Sequence, residues 1–194
     1  MSKIKNFLFD KFCRFFHAEL TSHESILTSE YENKIKAIQD KTKQEKEIYD
    51  IMKKVLNNQN HIIVGINKNN KGEEVLVIQF CYDNSINFKL FSKTYSSFSN
   101  NPRIMATIEK DIIKGTKSIK IDDILVQDNN IGNGSILMPY FLDYCKETGA
   151  EYISGLLSDV DSDHFDRSIH FYKKHGFTCK LNESKTSGSI RYEL

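Results

Sequence analysis

From Ser118 to Cys145 the chain reads SIKIDDILVQDNNIGNGSILMPYFLDYC, and its hydrophobic period changes once along that run. Ser118 to Val126 is rich in β-branched and aliphatic residues, the composition of a strand. Ile136, Leu137, Tyr140, Phe141 and Tyr144 recur at helical spacing and make one apolar stripe. Between them stands the polar turn Gln127-Asp128-Asn129-Asn130-Ile131-Gly132-Asn133-Gly134-Ser135, with two glycines and no acid beyond Asp128. Such a turn opening a helix is a cradle for an anion. The first helical amides have no intrahelical acceptor, the macrodipole adds positive potential, and glycine lets a ligand approach the backbone closely. A phosphate-bearing ligand is the expectation.

The loop is neither of two common phosphate binders. A dinucleotide fingerprint needs a third glycine where Leu137 stands, and no G-x-x-x-x-G-K-[ST] run exists. The segment Asn129-Asn130-Ile131-Gly132-Asn133-Gly134 instead resembles motif A of the GNAT superfamily, written (Q/R)-x-x-G-x-(G/A), with Asn129 where Gln or Arg is usual. Ser168-Ile169-His170-Phe171-Tyr172-Lys173-Lys174-His175-Gly176-Phe177 resembles the same family's motif B, commonly A-I-x-(F/L)-Y-x-K-x-G-F. The resemblance covers roughly Ser118 to Lys180. It implies an α/β (α+β) fold, a twisted, mostly antiparallel sheet flanked by helices, with a central parallel pair that splays apart. It implies acetyl-CoA as co-substrate, without a metal. Asn129, Asn130, Ile131, Gly132, Asn133, Gly134 and Ser135 would hold the pyrophosphate, and an amide at Leu125 or Val126 would polarise the thioester carbonyl. Tyr172 would lie near the sulfur and return a proton to the departing thiolate.

Other candidates for chemistry are weaker. Asp122 and Asp123 are adjacent on a strand, so only one can face a site, and both read as edge or surface carboxylates. His164, His170 and His175 lack the i, i+4 spacing of a metal pair and belong to a solvated helix face. Asp166 and Arg167 touch ligand or cap the helix. No general base and no nucleophilic triad can be assembled, which suits direct transfer to an amine on a small molecule or protein. The alternative is a non-catalytic acyl-CoA-binding or interaction module that docks through its N-terminal helices.

With 27 basic and 26 acidic residues in 194, there is no global basic field to argue for nucleic acid. Cys13, Cys81, Cys145 and Cys179 form no C-x-x-C, so reduced structural thiols in a cytoplasmic protein are expected. No apolar run approaches the ~18 residues of a membrane span, and Asp10, Lys11 and Arg14 interrupt any secretory core.

Residues 1–58 contain neither proline nor glycine and are expected to form a helical extension, with 59–194 as the acyltransferase domain. Phe7, Leu8, Phe12, Phe15, Phe16 and Leu20 suggest a first helix, and Thr21 or Ser22 a break and new cap. These faces are expected to cover apolar surface, on the same chain or in a homodimer. Beyond them, strands are expected at His61–Ile66, Glu74–Tyr82 and Ile86–Phe91, the last two as a hairpin. Ser92 to Asn101 reads as a mobile loop over a site. Asn101-Pro102 reads as the start of a helix carrying Ile104, Met105, Ile108 and Ile112 and stopping at Gly115. That helix would be an addition to the usual family order. After the central helix, a strand (Glu151–Leu157), a helix (His164–His175) and two strands (Phe177–Leu181, Gly188–Leu194) complete the chain.

Overall fold

The computed structural model describes residues 2–58, 60–96, 100–113, 115–126, 130–158 and 165–194. Two compact units divide the chain, Met1–Glu47 and Ile48–Leu194.

The first unit is helical and belongs to α1 (Ser2–Leu56). The break expected at Thr21 or Ser22 does not occur. Their neighbourhood holds hydroxyls that turn back into the helix instead of capping a new one. Thr21 Oγ1 donates to the His17 carbonyl at 2.7 Å, Ser25 Oγ to Ser22 at 2.8 Å, and Thr28 Oγ1 to Glu24 at 2.8 Å. A hydroxyl bonded to a carbonyl of the preceding turn is not available to cap the amides of a new helix.

In the second unit the elements follow as β1 (Ile62–Lys68), β2 (Glu74–Tyr82), β3 (Ser85–Phe91), β4 (Arg103–Asp111), β5 (Thr116–Leu125), α2 (Asn133–Glu147), β6 (Tyr152–Leu157), α3 (Phe165–Lys174), β7 (Thr178–Leu181) and β8 (Gly188–Glu193). They build one eight-stranded sheet in the order β1-β2-β3-β4-β5-β6-β8-β7. Every neighbouring pair is antiparallel except β5 and β6.

Alternation along β2 shows how the sheet is covered. Val75 and Val77 join the main core with Phe88, Ile104, Ile119, Ile153 and the α2 residues Leu137, Met138 and Phe141. Leu76 and Ile78, pointing the other way, meet Phe91 and Val55, with Ile48, Ile51 and Met52 packed around them. The last turns of α1 therefore close the second face of the sheet within this unit.

The helix expected after Pro102 is a strand. Ile104 and Ala106 are fully buried on one side of β4, paired with β3 at Phe88↔Ile104 and with β5 at Ile104↔Ile124. Isoleucines at 104, 108 and 112 fit either period, and the partner strands on both sides decided it. Asn101 is not an N-cap either. It is buried, and its Nδ2 donates to the carbonyls of Leu90 at 2.7 Å and Tyr95 at 3.0 Å. With this correction the extra helix disappears, and the element order needs no addition.

Candidate functional site

The parallel pairing of β5 with β6 runs from Ser118↔Tyr152 to Ile121↔Gly155 and ends there. β5 continues to Leu125 on the arm of β4, while β6 continues to Leu157 on the arm of β8. The two strands part at the point where β5 carries a bulge: Ala106 faces Ile121 and Met105 faces Asp123, so Asp122 is the extra residue. The bulge also resets which face each side chain takes, and Ile124 packs on the main core as Ile119 and Ile121 do. A sheet of this order, with one central parallel pair splaying open above a Gly-containing helix start, has a known architecture. It is the arrangement that the GNAT resemblance of the two sequence motifs implies.

The two aspartates on β5 are used locally. Thr107 Oγ1 donates to Asp122 at 2.6 Å, and Arg103 reaches Asp123 at 3.5 Å. Both carboxylates thus tie β5 to its inner neighbour β4.

At the mouth of the splay, α2 begins without a side-chain cap. Gly132 takes the left-handed conformation (φ 87°), and the helix's first backbone bond runs from the Ile136 amide to the Gly132 carbonyl at 3.0 Å. The amides of Asn133, Gly134 and Ser135 precede that first donor, and no acid stands in the first turn. Across this opening, Lys174 Nζ at the end of α3 donates to Ser135 Oγ at 3.1 Å. A cation held against the positive end of a helix is unfavourable until an anion lies between them. The residues therefore fit a phosphate-bearing group, and the positive potential comes from two elements 39 positions apart.

The loop leading to this helix is held from the opposite side. The Asn70 amide donates to the Ile131 carbonyl at 2.8 Å and its Nδ2 to the Asn130 carbonyl at 3.1 Å. Asn133 is fully buried, with Nδ2 donating to the Tyr95 hydroxyl at 2.8 Å. The loop after β3 was expected to be mobile; its described part is pinned. Ser92 and Tyr95 are buried and bonded to each other, and the Thr94 amide donates to Glu73 Oε1 at 2.9 Å. Burial works to raise the Glu73 carboxyl, but donors from Thr94, Ser92 and Asn69 outweigh it and hold it below the usual 4.5.

A carboxyl depressed on folding contributes stability above its unfolded value and loses that contribution as pH falls through its folded value. Wild type is thus expected to unfold at higher denaturant than Glu73→Gln above the ordinary carboxyl value of 4.5, and the gap to narrow as pH falls below it through the lowered folded value. Urea titrations at several pH values measure it. A gap that stays constant across this range would show that charge on Glu73 is not what ties the two loops.

Among the expected ligand residues, Asn130, Ile131, Gly132, Asn133, Gly134 and Ser135 do stand at the start of α2. Leu125 and Val126 lie at the end of β5, and a Cβ built on Gly134 would come within 3.2 Å of Val126. The same Cβ would come within 2.9 Å of the Phe171 ring, so one reason for glycine here is a neighbouring side chain on α3. Asn129 and His164 lie outside the described residues. Tyr172 is buried on α3, edge-on to Phe171 and Phe177 with centroids 5.5 and 5.4 Å away. His170, Asp166 and Arg167 are exposed. His175 is half-buried against Phe171, and burial, then the charge of Lys174, lowers its pKa. Lys174, Asn70 and Tyr95 are the site residues that sequence reasoning missed. Only the lysine had left a signal, as the basic position of motif B.

No family model matches the chain. A 75-residue stretch is 37% identical to "Uncharacterized protein YocC" of Bacillus subtilis (strain 168), covering 39% of this chain and 45% of that protein, less than half of its length. Among solved structures, the GNAT domain of S. lividans PAT superposes with a TM-score of 0.49 at 10% identity, covering 67% of this chain and 96% of that one. Arabidopsis thaliana Naa50 in complex with the bisubstrate analogue CoA-Ac-MVNAL gives a TM-score of 0.42 at 19% identity, over 56% of this chain and 72% of that one. Arabidopsis thaliana NAA60 in complex with acetyl-CoA gives 0.45 at 12% identity, over 58% and 78%.

Proposed function

We propose that this chain is an N-acyltransferase that moves an acetyl group from acetyl-CoA directly to an amine. The observation that carries this reading is the start of α2: three leading amides, no side-chain cap, no acid in the first turn, and Lys174 held beside Ser135. Asn129 to Ser135 and Lys174 take the pyrophosphate. The end of β5 at Leu125 and Val126, free of β6 beyond Ile121, presents backbone to the acyl carbonyl. Acetyl-CoA supplies the activated acyl group when bound. Tyr172 holds the proton that the departing sulfur requires. We take the reaction to be cytoplasmic and residues 59–194 to be its catalytic domain. The acceptor is a small-molecule or protein amine.

Calorimetry with coenzyme A and acetyl-CoA tests the cradle. Lys174→Ala removes a charge-assisted contact to an anion, so affinity is expected to fall about tenfold, with a weaker dependence on salt. Equal affinity in both proteins would take the lysine out of the site. Absence of binding in wild type at millimolar coenzyme A would sink the reading. Thiol release from acetyl-CoA with a mixed panel of amines then separates turnover from binding alone.

A further inference from the structure

The first unit presents an apolar stripe that its own residues leave uncovered. Phe9, Phe12, Phe16, Leu20, Leu27 and Tyr31 fall within one face of α1, about 100° wide, and each is 50–67% exposed. A surface helix is ordinarily stabilised by packing such a face, because propensity alone gives little. The stripe carries no membrane span: no helix among the described residues is long and apolar enough to cross a bilayer.

Charge along the same segment is arranged in blocks. Residues 1–18 hold Lys3, Lys5, Lys11 and Arg14 against the single acid Asp10. Residues 19–33 hold Glu19, Glu24, Glu30 and Glu32 and no lysine or arginine. A second copy laid parallel and in register would set base against base and acid against acid. Laid antiparallel, each basic block meets the other copy's acidic block, and this happens twice by symmetry. The stripe fits the same arrangement. When Phe16 of one copy meets Leu20 of the other, Phe9 meets Leu27, and the two-fold axis passes near residue 18.

We infer that residues 2–33 of α1 form an antiparallel homodimer, held by this Phe-rich stripe and by its two complementary charge blocks. Six such side chains on each copy, at roughly 100 Å² apiece, amount to about 1,200 Å² in total, the size of a specific interface. A flat anionic membrane is the poorer occupant. The stripe continues past Leu20 among three glutamates, Glu24, Glu30 and Glu32, that such a surface would repel.

Light scattering on the full chain is expected to give twice its 22.5 kDa mass. Phe12→Glu with Phe16→Glu is expected to give the single mass, with coenzyme A affinity unchanged. His23→Cys reports the arrangement, because position 23 then lies opposite Cys13 of the other copy. Mild oxidation is expected to yield a linked dimer whose peptides join positions 13 and 23. A monomeric wild type overturns the proposal, as does a dimer that survives both glutamates. A Cys13-to-Cys13 link with none to position 23 overturns the antiparallel arrangement. Monomers that sediment only with phosphatidylserine vesicles would assign the stripe to a membrane instead. Failure of the coenzyme A reading leaves these outcomes untouched.

Discussion

Replacing Tyr172 by phenylalanine is expected to slow single-turnover acyl transfer ~10²–10⁴-fold while leaving acetyl-CoA affinity nearly unchanged. The substitution keeps the ring between Phe171 and Phe177, where the wild-type residue is buried, and removes only the hydroxyl. Proton donation to a leaving thiolate is worth roughly 3–5 kcal/mol of barrier on this scale. The cradle amides belong to α2, and Lys174 reaches them from the end of α3 with a different side chain, so removing the Tyr172 hydroxyl leaves the groups that bind the anion in place. Steady-state turnover can be limited by product release, which makes the single-turnover rate the proper measurement. A phenylalanine variant with the wild-type single-turnover rate would reduce Tyr172 to a packing residue. Loss of thermal stability together with affinity would point the same way, because the hydroxyl would then be serving the core.

The parts of this site that could be read from sequence are those whose cause is local. A β-rich run, two glycines and an apolar helical stripe lie within 28 residues, and they became β5, the turn and α2. The hairpin of β2 and β3 was legible for the same reason, with Asp83 at positive φ in its turn. What failed was decided at a distance. Ile104, Ile108 and Ile112 satisfy a helical period as well as an alternating one, and only the flanking strands β3 and β5 resolve the ambiguity. The hydroxyls at Thr21 and Ser25 are good caps by type, but nothing in their neighbourhood stops the helix and they bond backward instead. The contacts that equip the site have the same character. Lys174 meets Ser135 across 39 positions and Tyr95 meets Asn133 across 38, and neither pairing leaves a periodic trace.

Gly65→Ala is expected to cost ~3 kcal/mol of stability, the upper part of the range for forcing extra volume into a packed core. β1 bulges between Ile63 and Gly65, and the Tyr140 side chain from α2 lies directly against the strand there. A methyl on Gly65 would sit 2.1 Å from the Tyr140 hydroxyl oxygen and 2.5 Å from its Cζ, far inside contact distance. The ring has little freedom to withdraw, because Asn67 Nδ2 donates to that hydroxyl at 2.8 Å. Since φ at Gly65 is not in the left-handed region, the loss is steric and not conformational. A double-mutant cycle with Tyr140→Leu separates the two. If the clash is the cause, the alanine should cost much less in the leucine background, with a coupling of about 1–3 kcal/mol. Equal costs in both backgrounds would mean that Gly65 is needed for the bulge itself. Because Tyr140 stands two turns from the start of α2, displacement of its ring should also weaken coenzyme A binding. That loss should disappear in the leucine background along with the clash.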